Sequence, residues 1–230
     1  TVQLWDGKNR SSYVPLQTLK DANDSVTTVL TPHNSSNHCI YTSSVDGVVR
    51  CYDVRKGLVT CWDLDNPVIG LALSPSSNDE NQNLLAASCL DGTIRLLDNS
   101  DSASSSELSS ELSSELSSEL SSSSSCCLLK TYQGRHKAGQ YALDCAISTD
   151  DKYVMTGSED GSCVWYDIMT AKHVQSLEGH SQPTCAIATT TTTTSTNGNN
   201  NNDRFTNEIT VTASYDGQGI VWGTKSIAPE

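Results

Sequence analysis

The chain has 230 residues, 36% of them hydrophobic, and its 27 acidic residues outnumber its 14 basic residues to give a net charge of -13. This acidity disfavours direct binding to nucleic acid, which depends on clustered Lys and Arg side chains against phosphates. No apolar stretch reaches the roughly 18 residues that cross a bilayer, so we expect neither nucleic acid nor a membrane as a direct partner.

Four Asp-Gly pairs, each between two short segments of alternating polarity, organise the chain. An Asp-Gly pair in this setting predicts a β-hairpin, and we expect a two-residue type I′ turn with positive φ at both central residues. Four hairpins are therefore predicted. The segments are SSVDGVVRCYD (43–53), SCLDGTIRLLD (88–98), GSEDGSCVWYD (157–167) and ASYDGQGIVWG (213–223).

The spacing of these pairs reveals a longer repeat. Asp46, Asp91, Asp160 and Asp216 are 45, 69 and 56 residues apart, so a period of about 45 leaves two intervals too long. We assign the excess to two insertions that we expect to be disordered: a Ser/Glu/Leu segment at 99–126 and a Thr/Asn segment at 189–207. A period of 40–45 with about four strands is typical of a β-propeller blade.

Four short motifs resemble the WD40 family, which ends a strand with Trp-Asp and carries a Gly-His pair. They are TVQLWD (1–6), VWYD (164–167), IVW (220–222) and EGH (178–180). The resemblance implies an all-β WD40 propeller in which residues 1–230 form about four blades of a seven-bladed ring. We therefore expect a fragment or a truncated gene model.

With strands a to d numbered from the propeller axis to its rim, the pattern predicts three full blades and a partial blade at each end. The first blade has strands 1–6 and 14–19, and the second 26–31, 39–43, 48–53 and 58–62. The third has 68–74, 84–88, 93–98 and 127–132, the fourth 141–148, 153–157, 163–167 and 173–177, and the last 184–188, 209–213 and 219–222.

The insertions indicate which face of the propeller is free. Segment 99–126 is a c-to-d loop and segment 189–207 an a-to-b loop, and both kinds of loop emerge on one face, here called the long-loop face. The b-to-c turns and d-to-a links emerge on the other, the short-loop face. We expect the short-loop face to meet a partner; the alternative is that insertions mark the binding face, as in other repeat proteins.

The histidines fit a structural role better than a catalytic one. In WD40 blades the Gly-His histidine bonds the Asp of the b-to-c turn and braces the blade through a Ser or Thr and the Trp. The resemblance pairs His180 with Asp216, Thr212 and Trp222. It pairs His136, more loosely, with Asp160, Thr156 and Tyr166, and Asp46 and Asp91 occupy the equivalent turns.

Five basic residues are candidates for partner binding in a chain with few of them. Arg135 and Lys137 lie in a d-to-a link, either as solvated charges or as contacts to an acidic partner. Arg50 and Arg95 occupy matching positions in strand c, where the family often has an exposed basic residue. Arg55 belongs to YDVR (52–55), similar to the Trp-Asp-x-Arg element with which some WD40 proteins dock on a cullin-ligase adaptor.

A closer resemblance joins LDGTIRLLDN (90–99) to LLKTYQGRHKAGQYALDC (128–145) across the insertion. These segments are similar to the mitogen-activated protein kinase organizer family, also called WD repeat-containing protein 83. The resemblance implies a scaffold for kinase-cascade components in the cytoplasm or nucleus. Alternatives are a spliceosome-associated protein or a cullin-ligase adaptor. Without a phosphate loop, a metal-binding motif or a nucleophile elbow, we expect no enzyme activity and no cofactor or metal.

Two further features leave alternatives open. The nine cysteines are odd in number and lack a Cys-x-x-Cys motif, which favours reduced core thiols in an intracellular protein, although Cys126 and Cys127 remain candidates for a reactive or metal role. The Glu-Leu-Ser-Ser repeat at 105–125 aligns leucines on a helix but also stacks glutamates four residues apart. It is either a disordered, phosphorylated loop or a transient helix that docks a partner.

Overall fold

A computed structural model describes residues 1–8, 13–32, 38–75, 84–99, 128–195 and 204–223, with side chains omitted at 192–195 and 204–207. Every regular element in these ranges is a β-strand, and the strands form five antiparallel sheets. The all-β blade architecture predicted from the repeats is confirmed. The Glu-Leu-Ser-Ser repeat, Cys126 and Cys127 lie outside the described residues.

The two terminal sheets are partial. Blade 1 pairs β1 (Val2–Leu4) with β2 (Gln17–Leu19). Blade 5 contains β15 (Thr184–Ser195), β16 (Arg204–Ser214) and β17 (Gly219–Gly223), in that order from the inside outwards.

The three sheets between them have four strands each, in chain order. Blade 2 has β3 (Val26–Leu30), β4 (Cys39–Ser44), β5 (Val48–Asp53) and β6 (Gly57–Asp63). Blade 3 has β7 (Val68–Leu73), β8 (Leu84–Cys89), β9 (Ile94–Asp98) and β10 (Leu128–Tyr132). Blade 4 has β11 (Cys145–Ile147), β12 (Tyr153–Gly157), β13 (Ser162–Asp167) and β14 (His173–Glu178).

The core lies between successive blades rather than within one. The a-strands contact one another in series, β3 with β7, β7 with β11 and β11 with β15. Four hydrophobic clusters fill the four interfaces between neighbouring sheets. In the interface between blades 3 and 4, for example, Ile94 packs with Val154 and Tyr166, all of which are buried. Each blade is therefore stabilised by apolar area buried on both of its faces.

The limits predicted for the insertions need correction. Thr189–Ser195 pairs residue by residue with Arg204–Thr210, so the hairpin of β15 and β16 extends well into the segment expected to be disordered. Runs of threonine suit a strand because β-branched side chains are restrained at χ1 and pack well on a pleated surface. The other insertion was expected to begin at Asn99, but Asn99 is buried and its amide donates to the Tyr41 hydroxyl in blade 2.

Candidate functional site

The short-loop face is built from hairpin turns whose type differs from the one predicted. Gly47, Gly92, Gly161 and Gly217 have φ between +78° and +85°, but the preceding aspartates have negative φ. Each glycine N–H donates to the carbonyl three residues earlier, such as Gly47 to Ser44 at 3.2 Å. The hairpins are correct, but the type I′ assignment is wrong. These are type I turns followed by a left-handed glycine in a three-residue loop, which requires only one residue at positive φ.

Every b-to-c turn is bonded to the d-to-a link that precedes its blade. Val45 N–H donates to Ser25 O, Leu90 to Pro67, Glu159 to Lys137 and Tyr215 to Pro183, at 2.9–3.2 Å. Each turn aspartate also accepts the N–H two residues further along, at 2.8–3.1 Å. The short-loop face is consequently a continuous surface with its backbone held in place from blade 2 to blade 5.

In blade 5 the structure places His180, Asp216, Thr212 and Trp222 in one hydrogen-bonded chain. Trp222 Nε1 donates to Thr212 Oγ1 at 2.9 Å, and Thr212 Oγ1 lies 2.9 Å from His180 Nε2. His180 Nδ1 lies 3.0 Å from Asp216 Oδ2. With a neutral imidazole, the Thr212 hydroxyl donates to Nε2 and Nδ1–H donates to the carboxylate, so every polar atom of the chain has a partner.

His136 in blade 4 makes a different set of contacts. Its Nδ1 lies 2.8 Å from the Tyr166 hydroxyl, which also accepts the N–H groups of Arg135 (3.2 Å) and His136 itself (3.3 Å). Burial lowers the pKa of His136, so Tyr166 donates to a neutral Nδ1. No hydrogen bond joins His136 to Asp160 or Thr156, although all three residues belong to the described part of the chain.

Asp160 and Thr156 bond elsewhere. Asp160 Oδ1 accepts both the N–H (3.1 Å) and the hydroxyl (2.6 Å) of Ser162. The Thr156 hydroxyl donates to the Asp144 carbonyl at 3.2 Å. The looser of the two predicted bracing sets is therefore wrong in its hydrogen bonds, because the extra residue in Gly-Arg-His turns the imidazole towards Tyr166.

Blades 2 and 3, whose d-to-a links lack a histidine, use arginine at the turn aspartate. Arg50 Nη2 and Nη1 lie 2.8 and 3.2 Å from the two carboxylate oxygens of Asp46, and the two side chains are only 6% and 10% exposed. Burial alone would raise the pKa of Asp46, but hydrogen bonds from Arg50 and from the N–H groups of Asn23 and Val48 hold it at about 2. Arg50 is thus buried, and the expectation of an exposed cation at this position is wrong.

Arg95 repeats this arrangement in blade 3. Its Nη2 lies 3.1 Å from Asp91 Oδ2, and its Nη1 donates to the Leu64 carbonyl in the adjacent d-to-a link. The two side chains are 17% and 28% exposed, so this pair is wetter than the pair in blade 2. Sequence reasoning missed both pairs, although the arginine follows the turn aspartate by four residues in each case.

The other candidate basic residues are exposed. Arg135 and Lys137 lie on the short-loop face, where Lys137 Nζ is 3.9 Å from Asp160 Oδ2. Arg55 lies on the opposite side in the link between β5 and β6, with its guanidinium 3.2–3.3 Å from the Asp53 carboxylate. Arg135 and Lys137 are therefore placed to contact a partner on the short-loop face, and Arg55 is not.

The innermost part of the short-loop face holds three residues that sequence reasoning did not single out. The rings of Tyr141 and Tyr215, 39% and 57% exposed, have centroids 5.2 Å apart and an interplanar angle of 51°. Asp144 follows three residues after Tyr141, beside Gly70 of the neighbouring blade. No motif in the sequence brings residues 141 and 215 together, since their contact depends on the packing of blade 4 against blade 5.

Several kinds of site were also sought among the described residues. No group of three or more His, Cys, Asp or Glu side chains there is arranged to hold a metal ion. The same ranges contain no helix with the length and apolarity that a membrane crossing requires. Seven cysteines fall within them, and all are free thiols.

Comparison with known proteins gives matches at two levels. The WD40 family model, described as WD domain, G-beta repeat, matches residues 13–53 and 126–167. Each match runs from strand d of one blade to strand c of the next, β2 to β5 and β10 to β13.

Longer matches come from individual relatives. WD repeat domain-containing protein 83 of Rattus norvegicus is 32% identical over 75% of this chain and 47% of its own length. The human protein of the same name is 29% identical with the same coverage, and the homolog from Dictyostelium discoideum is 26% identical over 78% of this chain and 53% of its own. The chain spans about half the length of these relatives. It contains WD40 repeats, arranged as propeller blades, and resembles the WD repeat domain-containing protein 83 family over about three quarters of its length.

Proposed function

We propose that this chain is part of a non-catalytic scaffold that binds other proteins, and that its short-loop face is the binding surface. The observation that carries the proposal is the unbroken bonding of b-to-c turns to d-to-a links from blade 2 to blade 5. A surface whose backbone is already ordered loses little entropy when a partner binds. The WD40 repeats and the relatives named WD repeat domain-containing protein 83 support the same proposal.

The long-loop face is less suited to a flat partner. Its a-to-b links are bonded to each other, Ser74 Oγ to Asp151 Oδ1 at 2.7 Å and Thr149 N to Glu208 Oε1 at 3.0 Å. The extended hairpin of β15 and β16 also emerges there. Side chains on the short-loop face are free of such an obstacle, which supports the choice of face.

The partners that we propose are components of a mitogen-activated protein kinase cascade, and we propose a cytoplasmic or nuclear location. The resemblance of segments 90–99 and 128–145 to the kinase-organizer family supports this assignment. Affinity purification of the tagged chain from its native cells, after crosslinking, tests it. Recovery of kinases of one cascade is expected, whereas recovery of splicing factors or cullin-ligase subunits alone would contradict the kinase assignment. Imaging of the tagged chain tests the location.

A pair of variants tests the face independently of the partner's identity. Gln133→Trp and Gln182→Trp each place a bulky ring on an exposed position of the short-loop face. Deletion of residues 102–125 alters only the long-loop face, and it leaves five residues between β9 and β10, the same length as the link between β13 and β14. We expect both tryptophan variants to lose the purified partner and the deletion to retain it. The reverse pattern would place binding on the long-loop face.

A further inference from the structure

The carboxylate of Asp144 sits at the meeting point of three inner strands. Its residue precedes β11, its backbone N–H donates to Cys185 O of β15, and its Oδ1 lies 2.9 Å from where a side chain on Gly70 of β7 would begin. The only hydrogen bond to its oxygens from the described residues comes from the N–H of Cys145, at 2.9 Å. A carboxylate with this degree of burial ordinarily has a cation or several donors.

The other aspartates of the described chain contrast with it. Asp46, Asp160 and Asp216 accept several hydrogen bonds, which outweigh their desolvation and lower their pKa values. Burial instead raises the pKa of Asp144 to about 6, against one N–H that lowers it. Asp144 therefore has acceptor capacity that no described side chain uses.

Tyr141 and Tyr215 provide an aromatic surface on the same side of the molecule. Tyr141 N–H donates to Glu159 Oε1 at 3.1 Å and Tyr215 N–H to Pro183 O at 3.2 Å, so both backbones are fixed although both rings are exposed. The faces of tyrosine rings attract cations. The pair lies where blade 4 meets blade 5, as does the Asp144 backbone through its bond to Cys185.

We propose that Tyr141, Tyr215 and Asp144 form a subsite that accepts an arginine side chain of a partner protein. This inference rests on the proposed function of the short-loop face in protein binding. A guanidinium stacks on aromatic rings, bonds a carboxylate with two N–H groups and is more weakly hydrated than an ammonium group, so it suits a partly buried carboxylate better than lysine does. The net charge of -13 also favours the approach of a basic segment.

The test uses the 230-residue chain and two peptide arrays. Members of the first array are nine-residue peptides with a central arginine and varied flanks, and the second array replaces that arginine with its neutral analogue citrulline. The variants are Asp144→Asn and the double variant Tyr141→Ser/Tyr215→Ser. Asp65→Asn, an equal charge change at an exposed residue of the same face, is the matched control.

We expect the wild type and Asp65→Asn to bind members of the arginine array, and both subsite variants to bind them at least tenfold more weakly. Equal binding to the citrulline array, no binding to either array, or undiminished binding by Asp144→Asn would each overturn the proposal.

Thermal unfolding separates a ligand-binding role of Asp144 from a structural one. Because a carboxylate buried without a cation destabilises the fold, Asp144→Asn is expected to keep or raise the melting temperature at pH 7. A fall of several degrees would mean that Asp144 supports the fold, and would overturn the proposal. If Gln182→Trp abolishes capture of the native partner while Asp144→Asn retains it, the short-loop face stands as the binding surface and the arginine subsite alone fails.

Discussion

Replacement of Arg50 by methionine should destabilise blade 2 because it leaves Asp46 buried without its cation. The difference between the ordinary pKa of 3.8 and the value of about 2 held by Asp46 in the fold corresponds to about 2.5 kcal/mol. Removal of one member of a buried ion pair typically costs 3–5 kcal/mol, and we expect about 3 kcal/mol here. In a chain of this size that is a fall of roughly 6–12 °C in melting temperature.

Urea unfolding followed by tryptophan fluorescence measures this loss, and hydrogen exchange at the turn between β4 and β5 locates it. The folded-state pKa of Asp46 lies below its unfolded value, so its contribution is present above pH 4 and is lost as the pH falls through about 2. The gap between wild type and Arg50→Met should therefore narrow over this range.

Two controls accompany the variant. Arg95→Met removes the more exposed of the two guanidinium groups and should cost about 1 kcal/mol or less. Asp46→Asn/Arg50→Met removes both charges and should be more stable than Arg50→Met alone. The reasoning is refuted if Arg50→Met lies within about 0.5 kcal/mol of wild type at pH 7 and the gap does not change with pH.

Three other substitutions probe the contacts between blades and within them. Gly157→Ala puts a Cβ 1.9 Å from the Thr184 carbonyl oxygen, so we expect loss of soluble folded protein, while Gly223→Ala, with open space around it, expresses normally; a folded Gly157→Ala would contradict the packing of blade 4 on blade 5. Thr212→Val leaves Trp222 Nε1 and His180 Nε2 without a partner and should cost about 1–3 kcal/mol in urea unfolding, against no change for the exposed Thr190→Val. Tyr166→Phe removes the acceptor of two N–H groups and the partner of His136, with a similar expected loss of stability; the exposed Tyr215→Phe is the control, and equal melting temperatures would show that the Tyr166 hydroxyl is dispensable.

Much of the fold could be read from the sequence because it is specified locally. The limits predicted for β5 and β12 agree with those observed, since alternation of side chains and the adjacent Asp-Gly pair mark both ends of each strand. The turn type was mistaken because Asp-Gly suits two kinds of hairpin. Only the backbone shows that the left-handed conformation belongs to glycine alone.

The bracing of the turns could be predicted only where it follows the family pattern. His180 lies where a Gly-His pair is expected, and the structure joins it to Asp216. Arg50 was taken for a surface cation, because nothing in a single strand shows that its side chain folds back on Asp46. The approach of Tyr141 to Tyr215, 74 residues away in the chain, depends on two blades meeting and has no local signature.

The long connection between β9 and β10 has a consequence for engineering. It contains 29 residues, against five between β13 and β14, and lengthening a flexible connection in this ratio costs only about 1.6 kcal/mol of chain entropy. The strands that it joins remain paired, with Leu97 opposite Leu128. A folded reporter domain with closely spaced ends, inserted between residues 100 and 126, should therefore leave the blade intact and carry its signal on the side away from the short-loop face.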